Sequence, residues 1–267
     1  MPAKPCHELV WAGTAVDRRR RADAEAPCAA CVSRDNQRAV SNSAVLGISG
    51  RRIRDRAGRA GRFGWKGDIG YLSSFVNQAC AVEMGLTTPH RVQLDARARP
   101  MLGSKPDLTE MDVTDLTAFI ATLPRPVDAP ADHPGRAVFE RVGCAVCHVP
   151  SLDGVEGLYS DLLLHDMGGG LEQRAAGSYG RSLPVRADVA TGGEWRTPPL
   201  WGVADSGPWL HDGRAHSLDA AIRAHGGEAM RITREYVASD AVDRDALLAF
   251  LGELRAPVTR RRTTGPR

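Results

Sequence analysis

Apolar residues recur every three or four positions in several stretches of the chain, and no alternating apolar–polar run persists long enough to predict a sheet. Residues 71–84 predict a helix with Leu72, Phe75, Val76, Ala79 and Val82 on one side. Residues 113–123 predict another, with Leu116, Phe119, Ile120 and Leu123 spaced along one face until Pro124 and Pro126 stop it. The segment from Pro124 to Pro134 reads as a linker. Pro134 to Val142 follows as a short helix with Val138, Phe139 and Val142 inward, ended by Gly143. Ser217 is a natural N-cap for a helix running to His225, where Gly226 and Gly227 end it. A last helix, Asp243 to Leu254, buries Leu247, Phe250, Leu251 and Leu254. Ser151 to Pro208 is rich in Gly, Ser, Pro and Asp, and a loop of that length inside a domain wraps something. Residues 1–45 lack periodicity and are expected to be irregular, with order beginning near Ile48-Ser49-Gly50-Arg51. The expected class is mainly α with long loops.

Composition changes this picture little. The chain has 267 residues, 42% hydrophobic and 25% charged, with a net charge of +3 that is too small to point to nucleic acid or a membrane surface. The basic runs Arg18–Arg21 and Arg260–Arg262 read as solvated tails. No stretch reaches the roughly 18 apolar residues of a membrane span. The first 30 residues do not read as an export signal either, because Asp17–Arg21 places charge where the apolar core belongs.

The cysteines carry the candidate chemistry. Of six, two form Cys28-Ala-Ala-Cys31 and two form Cys144-Ala-Val-Cys147, and only the second pair is followed by a histidine, His148. Cys-x-x-Cys-His is the attachment signal for one covalent haem c. Two thiols three residues apart reach both vinyl groups of one porphyrin, and the next histidine projects under the iron. A zinc site would want a second Cys/His pair, which only the Cys28–Cys31 arm could supply. The far side of the iron takes a ligand or stays open, and His165, Met167, His211, His225 and Met230 are the candidates. His225 stands out because it ends a capped helix and precedes two glycines that permit close backbone approach. Cys80, among apolar neighbours on a helix, reads as a buried small hydrophobe.

From about residue 46 to 254 a series of words occurs in a specific order: Gly61-Arg62-Phe63-Gly64-Trp65-Lys66, Glu83-Met84-Gly85, Gly143-Cys144-Ala145-Val146-Cys147-His148, Tyr159 through Gly168, Trp195 through Gly202, Leu210 through Ala215, and His225-Gly226-Gly227-Glu228-Ala229. In these words the chain resembles the di-haem oxidoreductases, also called thiol oxidoreductases, relatives of the bacterial di-haem cytochrome c peroxidases. The resemblance implies two cytochrome c-like domains, each with a haem, with electrons passing between them. It implies that the helix after His211-Asp212-Gly213 ends on the sixth ligand, hence His148/His225 coordination with Met167 as runner-up. It also suggests Arg196 as a partner for a haem propionate, and Glu83, before Met84, as a peroxide-handling acid. Trp195, Trp201 and Trp209 are expected to pack the haem pocket. An internal echo, Trp65-Lys66-Gly67 with Leu72 following and His211-Asp212-Gly213 with Leu218 following, fits a duplicated ancestor.

The chain departs from that pattern at its front. The first Cys-x-x-Cys-His of the family has no counterpart, since Cys31 is followed by Val32 and stands too close to residue 61. The expected organisation is therefore an unmatched segment 1–45, a remnant of the first cytochrome c-like domain over 46–125, a cytochrome c-like haem-binding domain over 126–256 with long haem-wrapping loops, and a basic tail over 257–267. Three functions follow: electron transfer through one covalent haem with a redox partner protein, peroxidase-like reduction of hydrogen peroxide, or a remnant that never receives haem. Haem c attachment implies the periplasm.

Overall fold

The computed structural model of the chain describes residues 47–55, 58–91, 105–152, 154–172 and 190–257. Residues 1–45 with Cys28-Ala-Ala-Cys31, both arginine runs, and the tail beyond residue 257 lie outside these residues.

Helix α1 spans Leu72–Val82 and α2 spans Glu110–Ala121. At α2, the Thr109 hydroxyl and the Asp112 carboxylate cap each other's backbone N–H, satisfying two donors that the first turn leaves free. α3 spans Pro134–Val142, with proline in its first turn and Gly143 at φ 104° as its left-handed end. Two antiparallel ribbons follow: β1 (Ser151–Leu152) with β2 (Val155–Glu156), and β3 (Leu164–Asp166) with β4 (Glu194–Arg196), which sets His165 opposite Trp195. These occupy the stretch expected to be loop, and two or three residues are too few to show alternation. α4 (Leu218–Arg223) begins at Ser217, whose hydroxyl accepts from the Ala220 N–H at 3.0 Å. α5 covers Met230–Ala238, and α6 covers Ala241–Glu253, capped by Asp240.

The largest apolar cluster lies where α3 crosses α6. Phe139, Phe250 and Tyr159 meet with ring centroids 5.4–5.8 Å apart, and Tyr236, Leu247 and Leu254 close the cluster. The crossing needs Gly135, because a Cβ there would stand 2.0 Å from the Ala246 carbonyl oxygen. α1 and α2 pack separately through Val76, Cys80 and Val113. Cys80 is buried there, as its apolar neighbours imply. The stripe of α2 marked by its spacing faces outward: Phe119 is 63% exposed, and Leu116, Ile120 and Leu123 are exposed with it. Spacing reveals an amphipathic face but not a neighbour to cover it, and α2 meets α1 through its Val113 side.

The internal echo is also a repeated backbone shape. Phe63 bridges Ile69 across one turn and Trp209 bridges Ala215 across another. Gly67 (φ 62°) and Gly213 (φ 69°) occupy the same place in the two turns, and each turn is followed at the same distance by a helix, α1 or α4.

Candidate haem site

Gly143 turns the chain out of α3 into a tight helical turn over Cys144–Val146. The backbone N–H groups of Cys147 and His148 both return to the Cys144 carbonyl, so the two thiols and the imidazole share one compact loop. Both cysteines are free thiols. Cys144 packs on the edge of the main core, and burial pushes its thiol up to about 12.

His148 places its Nδ1 2.9 Å from the Tyr159 carbonyl oxygen. A carbonyl only accepts, so Nδ1 carries the proton and Nε2 keeps its lone pair. Burial lowers the His148 pKa to about 4, with further lowering from nearby His225, so the ring is neutral at physiological pH. His225 repeats the arrangement: its Nδ1 lies 2.7 Å from the Ala221 carbonyl, and burial lowers its pKa. Among the described residues no hydrogen bond reaches Nε2 of either ring. Two neighbouring neutral imidazoles, each oriented through Nδ1 and bare at Nε2, are a donor set suited to the two axial positions of a haem iron.

The other four candidates are placed differently. Both nitrogens of buried His165 face carboxylates, Nε2 to Asp161 at 2.9 Å and Nδ1 to Glu228 at 2.8 Å. Burial opposes its charge, but Asp161 and Cys147 outweigh burial and raise the pKa to about 11. An imidazolium has no lone pair to offer. His211 stacks on Trp195 with centroids 3.8 Å apart. Met230 is 43% exposed. Met167 is half-buried, and its backbone lies against the residue after His225: a Cβ on Gly226 would stand 2.9 Å from the Met167 carbonyl oxygen. Gly227, at φ 51°, is tighter, with its Cβ position 2.1 Å from the Asp166 carbonyl. The glycines after His225 thus admit the end of β3.

Two cations lie at β4, one on the strand and one against it. The Arg196 side chain donates to the Gly64 carbonyl at 2.8 Å and more weakly to the Thr197 carbonyl. Burial lowers its pKa to about 10, and no carboxylate pairs with it among the described residues. The Lys66 ammonium lies 3.3 Å from the centroid of Trp195 and donates to three carbonyls, those of Thr191, Gly192 and Glu194. Burial lowers its pKa to about 8. Trp195 is therefore touched by both repeated turns, by Lys66 from the first and by His211 from the second. Sequence spacing offered no signal for Lys66, or for the Asp161–His165–Glu228 cluster, because each depends on partners far along the chain.

The sequence model of the family described as "Di-haem oxidoreductase, putative peroxidase" matches residues 115–254, more than half of the chain. The chain belongs to this family. The family is described as one of haem-dependent oxidoreductases. No curated protein matches it. Among solved structures, it is similar to hydrazine synthase of Kuenenia stuttgartiensis at 20% identity, with 56% of this chain and 57% of that chain covered and a TM-score of 0.34. The chain thus spans little more than half the length of that relative. A MauG-like protein associated with microbial copper homeostasis is similar at 16% identity, over 93% of this chain and 87% of that one, with a TM-score of 0.44.

Glu83, the acid that family resemblance marked for peroxide handling, forms the C-cap of α1. Its side chain is exposed and makes no hydrogen bond to a described residue, and it is not brought into the His148–His225 pair. No helix among the described residues is long and apolar enough to cross a membrane.

Proposed function

We propose that this di-haem oxidoreductase carries one covalent haem c, joined through Cys144 and Cys147, with His148 and His225 as its axial ligands, and that it transfers electrons. The observation that carries the proposal is the matched pair of imidazoles, each held at Nδ1 by a main-chain carbonyl and without a hydrogen bond at Nε2 among the described residues. Haem bound there supplies a one-electron ferric/ferrous couple. The chain's own residues supply the rest. The Cys144–His148 loop gathers two thiols and one imidazole, the Gly226–Gly227 contact with β3 fixes the second imidazole, and half-buried Arg196, with no carboxylate partner among the described residues, offers a cation to a carboxylate. Two histidines hold the potential below what histidine with methionine would give.

In this proposal, residues 126–256 form the cytochrome c-like unit. The location is periplasmic, where haem c is attached, and the electrons are exchanged with another redox protein. The peroxidase alternative gains no support from Glu83, which lies exposed at the end of α1.

The deciding experiment supplies the chain with an export signal and the haem-attachment machinery. A denaturing gel stained for haem should show a haem-bearing band that Cys144→Ser/Cys147→Ser loses. An unstained wild-type band would overturn the proposal. Absorption spectra then test the ligand: the wild type should be six-coordinate and low-spin, and His225→Ala should become high-spin. A His225→Ala spectrum identical to wild type would remove His225 from the site.

A further inference from the structure

Tyr159 combines features that the haem site as described leaves unused. It is fully buried, yet its backbone sits at φ 50°, in the left-handed region that a bulky side chain seldom adopts. Its carbonyl accepts the His148 Nδ1 proton. Its neighbours run alongside the haem-motif loop, with Leu158 N–H on the Pro150 carbonyl, Ser160 N–H on the Val149 carbonyl and Asp161 N–H on the Cys147 carbonyl. At the far end of the side chain, the phenol donates to Asp128 Oδ1 at 2.9 Å and accepts from Arg136 Nη1 at 2.5 Å. Arg136 is itself tied to the Ala129 carbonyl. The ring between these ends is held edge-on by Phe139 and Phe250.

We propose that Tyr159 is a positioning residue for the proximal ligand, with its phenol, anchored by Asp128 and Arg136, holding the strained peptide whose carbonyl orients His148. The proposal rests on His148 being an iron ligand. A left-handed backbone at a bulky residue persists only where its surroundings over-determine it. Here the surroundings are hydrogen bonds at both ends of one residue, from the phenol to Asp128 before α3 and Arg136 on it, and from the main chain to the haem loop. The carbonyl's grip on Nδ1–H raises the basicity of the imidazole, which stabilises ferric over ferrous iron. Loosening the phenol should therefore raise the reduction potential without removing any ligand.

The test compares the full-length haem-bearing chain with Tyr159→Phe, which removes one oxygen and keeps the ring, and with Phe250→Leu, which loosens the same aromatic cluster and leaves the phenol in place. Tyr159→Phe should give a more positive midpoint potential and altered ferric electron-paramagnetic-resonance g-values. Phe250→Leu should lower Tm and leave both unchanged. In haem-free full-length chain, long-range 15N–1H NMR should show His148 protonated at Nδ1 in the wild type and as a mixture of tautomers in Tyr159→Phe. Tyr159→Phe matching wild type in potential, g-values and tautomer would overturn the proposal, as would Phe250→Leu shifting them equally. Failure of the underlying haem reading shows separately, as a His148→Ala chain whose iron spectra match wild type, and the tautomer measurement still decides the tyrosine's role.

Discussion

Residues 63–82 and 209–225 share one design, a bridged turn with a left-handed glycine followed by a helix, but they have been put to different use. In the second copy, counting from the start of α4, the eighth residue is His225, an imidazole near enough to act on His148 and without a hydrogen bond at Nε2 among the described residues. In the first copy the eighth residue of α1 is Ala79, which offers no ligand atom. The turns differ too. His211 stacks on Trp195 from the second copy, while its counterpart Trp65 in the first is 40% exposed, and it is the next residue, Lys66, that reaches Trp195. The helix packed on the first copy, α2, leaves its apolar stripe exposed, whereas the second copy adjoins the α3–α6 core. A shared backbone shape therefore fixes where a side chain is presented, and the residue at that place decides whether the copy offers a ligand atom.

The largest effect expected from this contrast is spectroscopic. His225→Ala should convert most of the haem iron to high spin, while Ala79→His, the equivalent position in the first copy, should leave the spectrum of the haem-bearing chain unchanged. A spectral change from Ala79→His would break the asymmetry. Next come the cores. Leu247→Ala in α6, at a fully buried position, should cost about 2–5 kcal/mol in chemical denaturation. Phe119→Gln on the exposed stripe of α2 should stay within about 0.5 kcal/mol. A large loss from Phe119→Gln would show that something covers that stripe in solution.

Gly67→Ala and Gly213→Ala test the shared turn itself. Both residues sit at similar positive φ, and each added Cβ would meet only a side chain at 3.2 Å, Arg196 or Pro208. Both substitutions should cost about 1 kcal/mol, equal within a few tenths. The smallest effect concerns pH. The Arg51 guanidinium holds the Glu194 carboxyl down at about 2, against the opposing effect of burial. Because that lies below the ordinary value of 4.5, the stabilisation is complete above about 4.5 and is lost as pH falls through about 2. Melting temperature should fall more steeply across that window in wild type than in Glu194→Gln. Arg51 is 40% exposed, so added salt should blunt the difference.

Much of this arrangement was legible in the sequence where the signal was local. Pro134 and Gly143 bracket α3, Ser217 starts α4, and the glycines after His225 announce a close backbone contact, because each acts within one or two turns of its own chain. α5 escaped notice because it starts at Ala229 without a side-chain cap and buries only Thr233 and Tyr236. The charge on His165 was hidden for a different reason. As a lone histidine it ranked among the ligand candidates, and only folding brings Glu228 to its second nitrogen. The stripe of α2 was legible as a face, but whether a neighbour covers it is not written in its spacing.

Cys144, packed on the α3–α6 core with its thiol near 12, has a consequence in the order of assembly. At neutral pH such a sulfur stays almost wholly in the thiol form, whereas the thiolate is the form that reacts. Its low thiolate content therefore slows oxidation of this sulfur, including disulfide formation with Cys147, and for the same reason slows late modification. In the proposed haem-bearing chain, bond formation at Cys144 would belong to the interval before the α3–α6 core packs against it, so that loading comes first and folding follows.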